Sequence, residues 1–190
     1  MLKYQLRSEI FKPGKINPQT LLDVEEFRFP LSMPYETRIK ELEIDRRYND
    51  NSTFIVFYNE EDVVASTIRI IHKLDKEDKL PVEFSKHVDS GCPFEIPKSF
   101  IPVCEIGGLK VSDDVPFRMR YKTVLKTIKT CVDYIWAEKF NGVYITCNGN
   151  LESFYRKKFS FNFASLVTYD DNSSYHALYR NSDFNGTPFN

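Results

Sequence analysis

Apolar positions along the chain keep two rhythms, steps of three and four residues and plain alternation or unbroken runs, which predict helices and strands respectively. Leu21, Leu22, Val24 and Phe27, with acids between them, predict an amphipathic helix over residues 19–29, entered after Pro18 and stopped by Pro30 and Pro34. The run TFIVFY at 53–58, the polar turn at 59–62 and the alternating VVASTIRII at 63–71 read as an antiparallel hairpin. A charged connector follows at 73–79. Residues 80–103 carry Pro81, Pro93, Pro97 and Pro102 and read as irregular, either a lid or an insertion. CEIGGLKVS at 104–112 predicts a third strand, in which Gly107 and Gly108 mark a bulge or a close backbone approach.

The best helix begins near Pro116, because Tyr121, Val124, Leu125, Ile128, Val132, Ile135 and Trp136 fall on one face. Gly142 closes that segment, and VYITC at 143–147 has the apolar run of a buried central strand. A shorter helix is expected at 151–159, then strands at 161–169 and 173–180 joined by the turn at 170–172. The order is helix, hairpin, strand, helix, strand, helix, hairpin. It predicts an α/β (α+β) fold in one domain, residues 1–190, with helices on both sides of a mixed, mostly antiparallel sheet.

Composition narrows the class. With 190 residues, 42% hydrophobic and 28% charged, the chain is neither disordered nor fibrous. Twenty-six basic against 27 acidic residues leave a formal charge of −1, so no whole-molecule field draws it to nucleic acid or an anionic membrane. An aromatic content of 15% implies either an aromatic core or the lining of an apolar site. Cys92, Cys104, Cys131 and Cys147 form no C-x-x-C and no zinc spacing, so no metal is expected and free thiols in a reducing compartment are. Charged residues interrupt the N-terminal stretch and no apolar run has the length of a membrane span; a cytoplasmic location without an integral membrane segment is the expectation. His72, His87 and His176 are far apart and beside no serine or cysteine motif, which gives a hydrolase triad no support.

One local charge pattern stands out. Between Asp114 and Asp133 there is no acid, yet Arg118, Arg120, Lys122, Lys126 and Lys129 fall there, at the start of the long helix. Free N–H groups and the dipole at a helix start favour anions, so these side chains suit a phosphorylated ligand; the alternative is a solvated helix face. Together with Arg156, Lys157 and Lys158 they also suit an acidic partner protein, and no nucleic-acid motif accompanies them.

The string YITCNGNLESFYRKKFSF resembles the strand, loop and helix of GNAT-superfamily acyltransferases, with Phe154, Tyr155, Phe159 and Phe161 in place and Ser160 where a glycine is usual. Glu43–Ile44–Asp45, Arg69 near a strand end, and EIGGLKV at 105–111 resemble one branch, the acyl-homoserine-lactone (autoinducer) synthases and N-acyl amino acid synthases, whose strings run E-x-D, Arg, then E-x-x-R-x-x-V. Gly108 stands where that Arg is expected, no Trp lies near Pro34, Tyr48 replaces a second Asp with Asp50 nearby, and RMRYKT at 118–123 replaces the glycine-rich pyrophosphate loop. These departures put the chain nearer the N-acyl amino acid synthases.

The resemblance implies a GNAT-like three-layer αβα sandwich and acyl transfer from a phosphopantetheine thioester, on acyl carrier protein or coenzyme A, to a small-molecule amine. The thioester is a co-substrate, and no cofactor is bound permanently. By the same resemblance Glu105 is the expected general base, Tyr155 the acid for the departing sulfur, and backbone N–H groups near Leu109, Lys110 and Val111 the oxyanion donors. Arg118, Arg120, Lys122, Cys147 and Asn148 would line the donor site, and Asp45, Asp50 and Arg69 the acceptor pocket. The same residues leave open an acetyl-coenzyme A-dependent acetyltransferase and a catalytically silent lipid-binding sensor. Phe54, Phe57, Phe159, Phe161 and Phe163 line an acyl tunnel or fill the core.

Overall fold

The computed structural model describes residues 5–181. It divides into two compact units. The first takes the described residues up to Ile71 and Gly108–Val132; the second takes His72–Gly107 and the described residues from Asp133 onward. Strands lie in the order β1-β2-β3-β5-β6-β8-β7-β4 within one eight-stranded sheet, where β1 is Arg7–Phe11, β2 Ser52–Tyr58, β3 Val64–Lys73, β4 Lys86–His87, β5 Val103–Val111, β6 Gly142–Cys147, β7 Asn162–Thr168 and β8 Ser174–Asn181. β5 runs parallel to β6, while β1–β2, β2–β3, β6–β8, β7–β8 and β4–β7 are antiparallel. The sheet is therefore mixed and mostly antiparallel, as the residue pattern predicts.

In the first unit, α1 (Pro18–Arg28) begins with proline at its first position, where the missing N–H is harmless, and the Asn17 side chain accepts the Thr20 N–H at 2.9 Å. Its Val24 packs with Phe54, Val56, Tyr58 and Val64 of the β2–β3 hairpin, whose strands are buried throughout. A second helix, α2 (Tyr35–Arg46), was not expected. Only Leu42 and Asp45 of it are buried, so it has no apolar stripe to betray a 3.6-residue period. β1 is equally unannounced: it is a mostly exposed edge strand with register Arg7↔Tyr58 to Phe11↔Phe54. α3 (Phe117–Ala137) follows the predicted helix, and the part of it in this unit places Thr127 Oγ1 2.9 Å from Ser66 Oγ of β3.

In the second unit, Gly142 opens β6 rather than closing a helix. A side chain there would meet the Tyr179 ring at 2.5 Å, so the aromatic of β8 requires the glycine. The parallel ladder runs from Val103↔Gly142 to Ile106↔Ile145. α4 (Gly149–Phe159) ends at Ser160 in the left-handed region, φ 55° and ψ 33°. Part of the proline-rich stretch is ordered by short-range structure: a 3-10 turn at Pro81–Phe84, β4 paired to β7, and a second 3-10 turn at Lys98–Phe100.

Candidate active site

Each unit holds a buried carboxylate that centres a cluster of polar contacts, Asp45 in the first and Glu105 in the second. In the first unit Asp45, near the end of α2, receives Arg28 Nη1 from α1 on Oδ2 at 2.6 Å and Arg69 Nη2 from β3 on Oδ1 at 2.7 Å. The Asp45 backbone carbonyl also accepts from Arg69 Nη1 at 2.9 Å. These side chains are between 6% and 10% exposed, so the cluster is desolvated and its geometry matters. Beside it, buried Glu25 takes a two-pronged hydrogen bond from Arg46, at 2.9 and 2.6 Å. Asp50 is exposed, in the 3-10 turn Asn49–Asn51.

Lys110 of β5 lies in the same unit. Its Nζ donates to the Arg28 carbonyl at 3.1 Å and stands 5.4 Å from the Phe27 ring centroid. Burial lowers its pKa, and Arg28 adds to that while Asp113 opposes it. The Lys110 carbonyl accepts from Ser66 Oγ at 2.9 Å, and Leu109 and Val111 are half-buried. Of the basic residues opening α3, Arg118 and Lys122 are exposed. Arg120 is engaged locally, since its Nε donates to the Val115 carbonyl at 3.0 Å and its Nη1 lies 3.3 Å from Asp113.

In the second unit Glu105 of β5 is 2% exposed. Its Oε2 accepts the Val82 N–H at 2.8 Å and its Oε1 faces the Thr146 hydroxyl at 3.4 Å. Val82 sits in the 3-10 turn, which is fixed in turn by Glu83: Glu83 Oε2 accepts the Leu80 N–H at 2.9 Å and pairs with buried Lys73 Nζ at 3.2 Å. Tyr155 is buried on α4 among Phe154, Phe159 and Phe161, with ring centroids 5.4 to 6.3 Å away. Cys147 is buried at the end of β6; burial, then the charge of Glu152, pushes its thiol up to about 11. Asn148 occupies the N-cap position of α4, and its side chain makes no cap hydrogen bond.

Residue spacing alone does not find several of these partners. Arg28, Val82 and Thr146 reach the two carboxylates from distant parts of the chain, and Lys73–Glu83 fixes the turn that carries Val82. Another such group is Glu152, which holds His176 Nδ1 at 2.6 Å and Arg156 Nη1 at 2.8 Å and whose pKa is lowered by those bonds, Arg156 first. Only its Glu152–Arg156 half, four residues apart on one helix, is visible in the sequence.

The mixed, mostly antiparallel sheet, with β5 parallel to β6 and the helices α3 and α4 before and after β6 in the chain, has the fold of GNAT-type acyltransferases. Three solved structures share it. FeeM, an N-acyl amino acid synthase from uncultured soil microbes, superposes with a TM-score of 0.63 at 14% identity over 95% of this chain and 92% of its own. An acyl-CoA N-acyltransferase from Pseudomonas aeruginosa gives 0.61 at 12% identity, over 93% and 99%. An acetyltransferase of the GNAT family from Staphylococcus aureus Mu50 gives 0.53 at 12% identity, over 93% and 100%. No protein-family model and no curated protein sequence matches the chain.

Proposed function

We propose that this chain is an N-acyltransferase that moves a fatty acyl group from a phosphopantetheine thioester to the amine of an amino acid or a related small molecule. The observation that carries the reading is Glu105: a 2%-exposed carboxylate, oriented by a backbone N–H and a hydroxyl, one residue before the last pair of the parallel ladder. A carboxylate placed so deep is costly to desolvate and is held by its partners, and such environments are where general bases are tuned. Here it takes the proton of the incoming ammonium, directly or through a water. The amine lone pair attacks the thioester carbonyl, and N–H groups of Leu109–Val111 are our choice to stabilise the oxyanion. Collapse of the intermediate breaks the C–S bond, the Tyr155 hydroxyl supplies the proton that makes the thiol, and the second proton lost by the attacking nitrogen passes through water to restore that hydroxyl. Positioning supplies much of the rate.

Acyl carrier protein is our first choice of donor, because Arg118 and Lys122 are exposed cations on one helix and Arg156, Lys157 and Lys158 close another. Attraction to an acidic carrier fits such a distribution on a chain of near-zero net charge. Coenzyme A is the second reading, favoured by the likeness to the acyl-CoA N-acyltransferase over 99% of that chain. Cys92, Cys104, Cys131 and Cys147 are all free thiols, in keeping with a reducing, cytoplasmic setting.

The test is thiol release from acyl carrier thioesters and acyl-CoA of varied chain length, each with a panel of amines. Release from the carrier thioester at the higher kcat/KM supports the first choice, and faster release from acyl-CoA selects the second. Bound acyl ligand with no release from either donor would make the chain a lipid sensor and refute the enzyme reading.

A further inference from the structure

Arg28 is nine-tenths buried, and Asp45 takes only its Nη1. Among the described residues no hydrogen bond engages its Nε or Nη2. Those two nitrogens form one edge of the guanidinium, with parallel N–H bonds spaced to fit a carboxylate. The position of the group is enforced from below. A Cβ built on Gly108 would lie 2.8 Å from Arg28 Cζ, 2.8 Å from Nη2 and 2.9 Å from Nε, so the flat face of the guanidinium rests on the glycine. Gly108 has φ +63°, a second reason for glycine there. The absence of a side chain at 108 therefore makes room for a cation supplied by α1.

Charge around this edge favours an anion. Arg28 and Arg69 share the single carboxylate of Asp45, and Lys110 Nζ binds the Arg28 carbonyl. The nearby Glu25 is closed on Arg46, and Asp113, which acts on Lys110, is an exposed residue that pairs with Arg120. Arg69, the arginine expected from the sequence to meet an acceptor carboxylate, is ion-paired with Asp45.

We propose that the Nε–Nη2 edge of Arg28, laid over Gly108, binds the carboxylate of the acceptor, which makes the acceptor a free amino acid rather than a simple amine or a protein lysine. The identity of the ligand rests on the acyl-transfer reading; the carboxylate site itself does not.

Glycine, L-leucine and L-phenylalanine are compared with methylamine, isoamylamine and phenethylamine, by melting-temperature shift without donor and by kcat/KM with donor. The wild-type protein is expected to be stabilised by the amino acids and to prefer them by roughly tenfold or more. Arg28→Gln should abolish both effects, and Arg28→Lys, which keeps the charge toward Asp45 but loses the fork, should reduce them. Gly108→Ala tests the placement with the arginine intact: its methyl group displaces the guanidinium, and the carboxylate preference falls. Equal stabilisation by the acids and their amines in the wild type, or an undiminished preference in folded Arg28→Lys and Gly108→Ala, overturns the proposal. Carboxylate-dependent stabilisation that vanishes in the Arg28 variants, with no acyl transfer to any acceptor, upholds the site and refutes the acyltransferase reading alone.

Discussion

Asp45 and Glu105 are both buried carboxylates, one on the helix α2 and one on the strand β5, and their surroundings differ in kind. Asp45 is gripped by two guanidiniums, at 2.6 and 2.7 Å, that come from a helix and a strand. Glu105 accepts from the Val82 N–H and faces the Thr146 hydroxyl, both neutral donors. Cations hold a carboxylate through its charge, whereas hydrogen-bond donors such as an N–H and a hydroxyl aim it. On this comparison Asp45 is a brace that ties α2 to α1 and β3, and Glu105 is the carboxylate we propose as the base.

Removing each carboxylate separates the two roles. Asp45→Asn leaves a pair of desolvated guanidiniums without their counter-ion, and it should destabilise the protein by roughly 3–5 kcal/mol in urea titrations. A loss below about 1 kcal/mol would break the brace assignment. Glu105→Gln keeps an acceptor for Val82 N–H, so the fold should survive with a change of about 1 kcal/mol or less. Its kcat should nevertheless fall about 100-fold or more in the thiol-release assay. Near-normal turnover would move the base elsewhere. The smallest effect concerns the enclosure of the second region. Iodoacetamide should modify exposed Cys92 first, because Cys147 is buried and its thiol titrates at about 11. Only roughly a thousandth of Cys147 is thiolate at pH 8, so its rate should rise about tenfold per pH unit up to that range, read by peptide mass spectrometry. Fast, pH-independent labelling of Cys147 would show the region to be more open than its burial implies.

The same contrast explains what residue order reveals. α3 is legible because Val124, Ile128, Val132 and Ile135 repeat on one face, and the β2–β3 hairpin because apolar runs flank a polar turn. α2 is not legible, since what anchors it besides Leu42 are ion pairs, and charge carries no period unless its partner is known. β1 and β4 are short or exposed edge strands whose pairing comes from backbone bonds. At the site, motif order singled out Asp45, Arg69 and Glu105. Arg28 lies 17 residues from Asp45 and Val82 lies 23 from Glu105, while Lys73–Glu83 acts through the turn that carries Val82, and only folding brings these groups in.

The end of α4 has a practical consequence. Ser160 adopts the left-handed conformation that favours glycine, so a residue with a Cβ holds this backbone shape. A Cβ in that conformation carries a steric penalty of about 1 kcal/mol, which Ser160→Gly would relieve. The substitution offers a reserve of thermal tolerance, remote from both carboxylates in sequence, on which weakened versions of either centre can be kept folded long enough to be assayed.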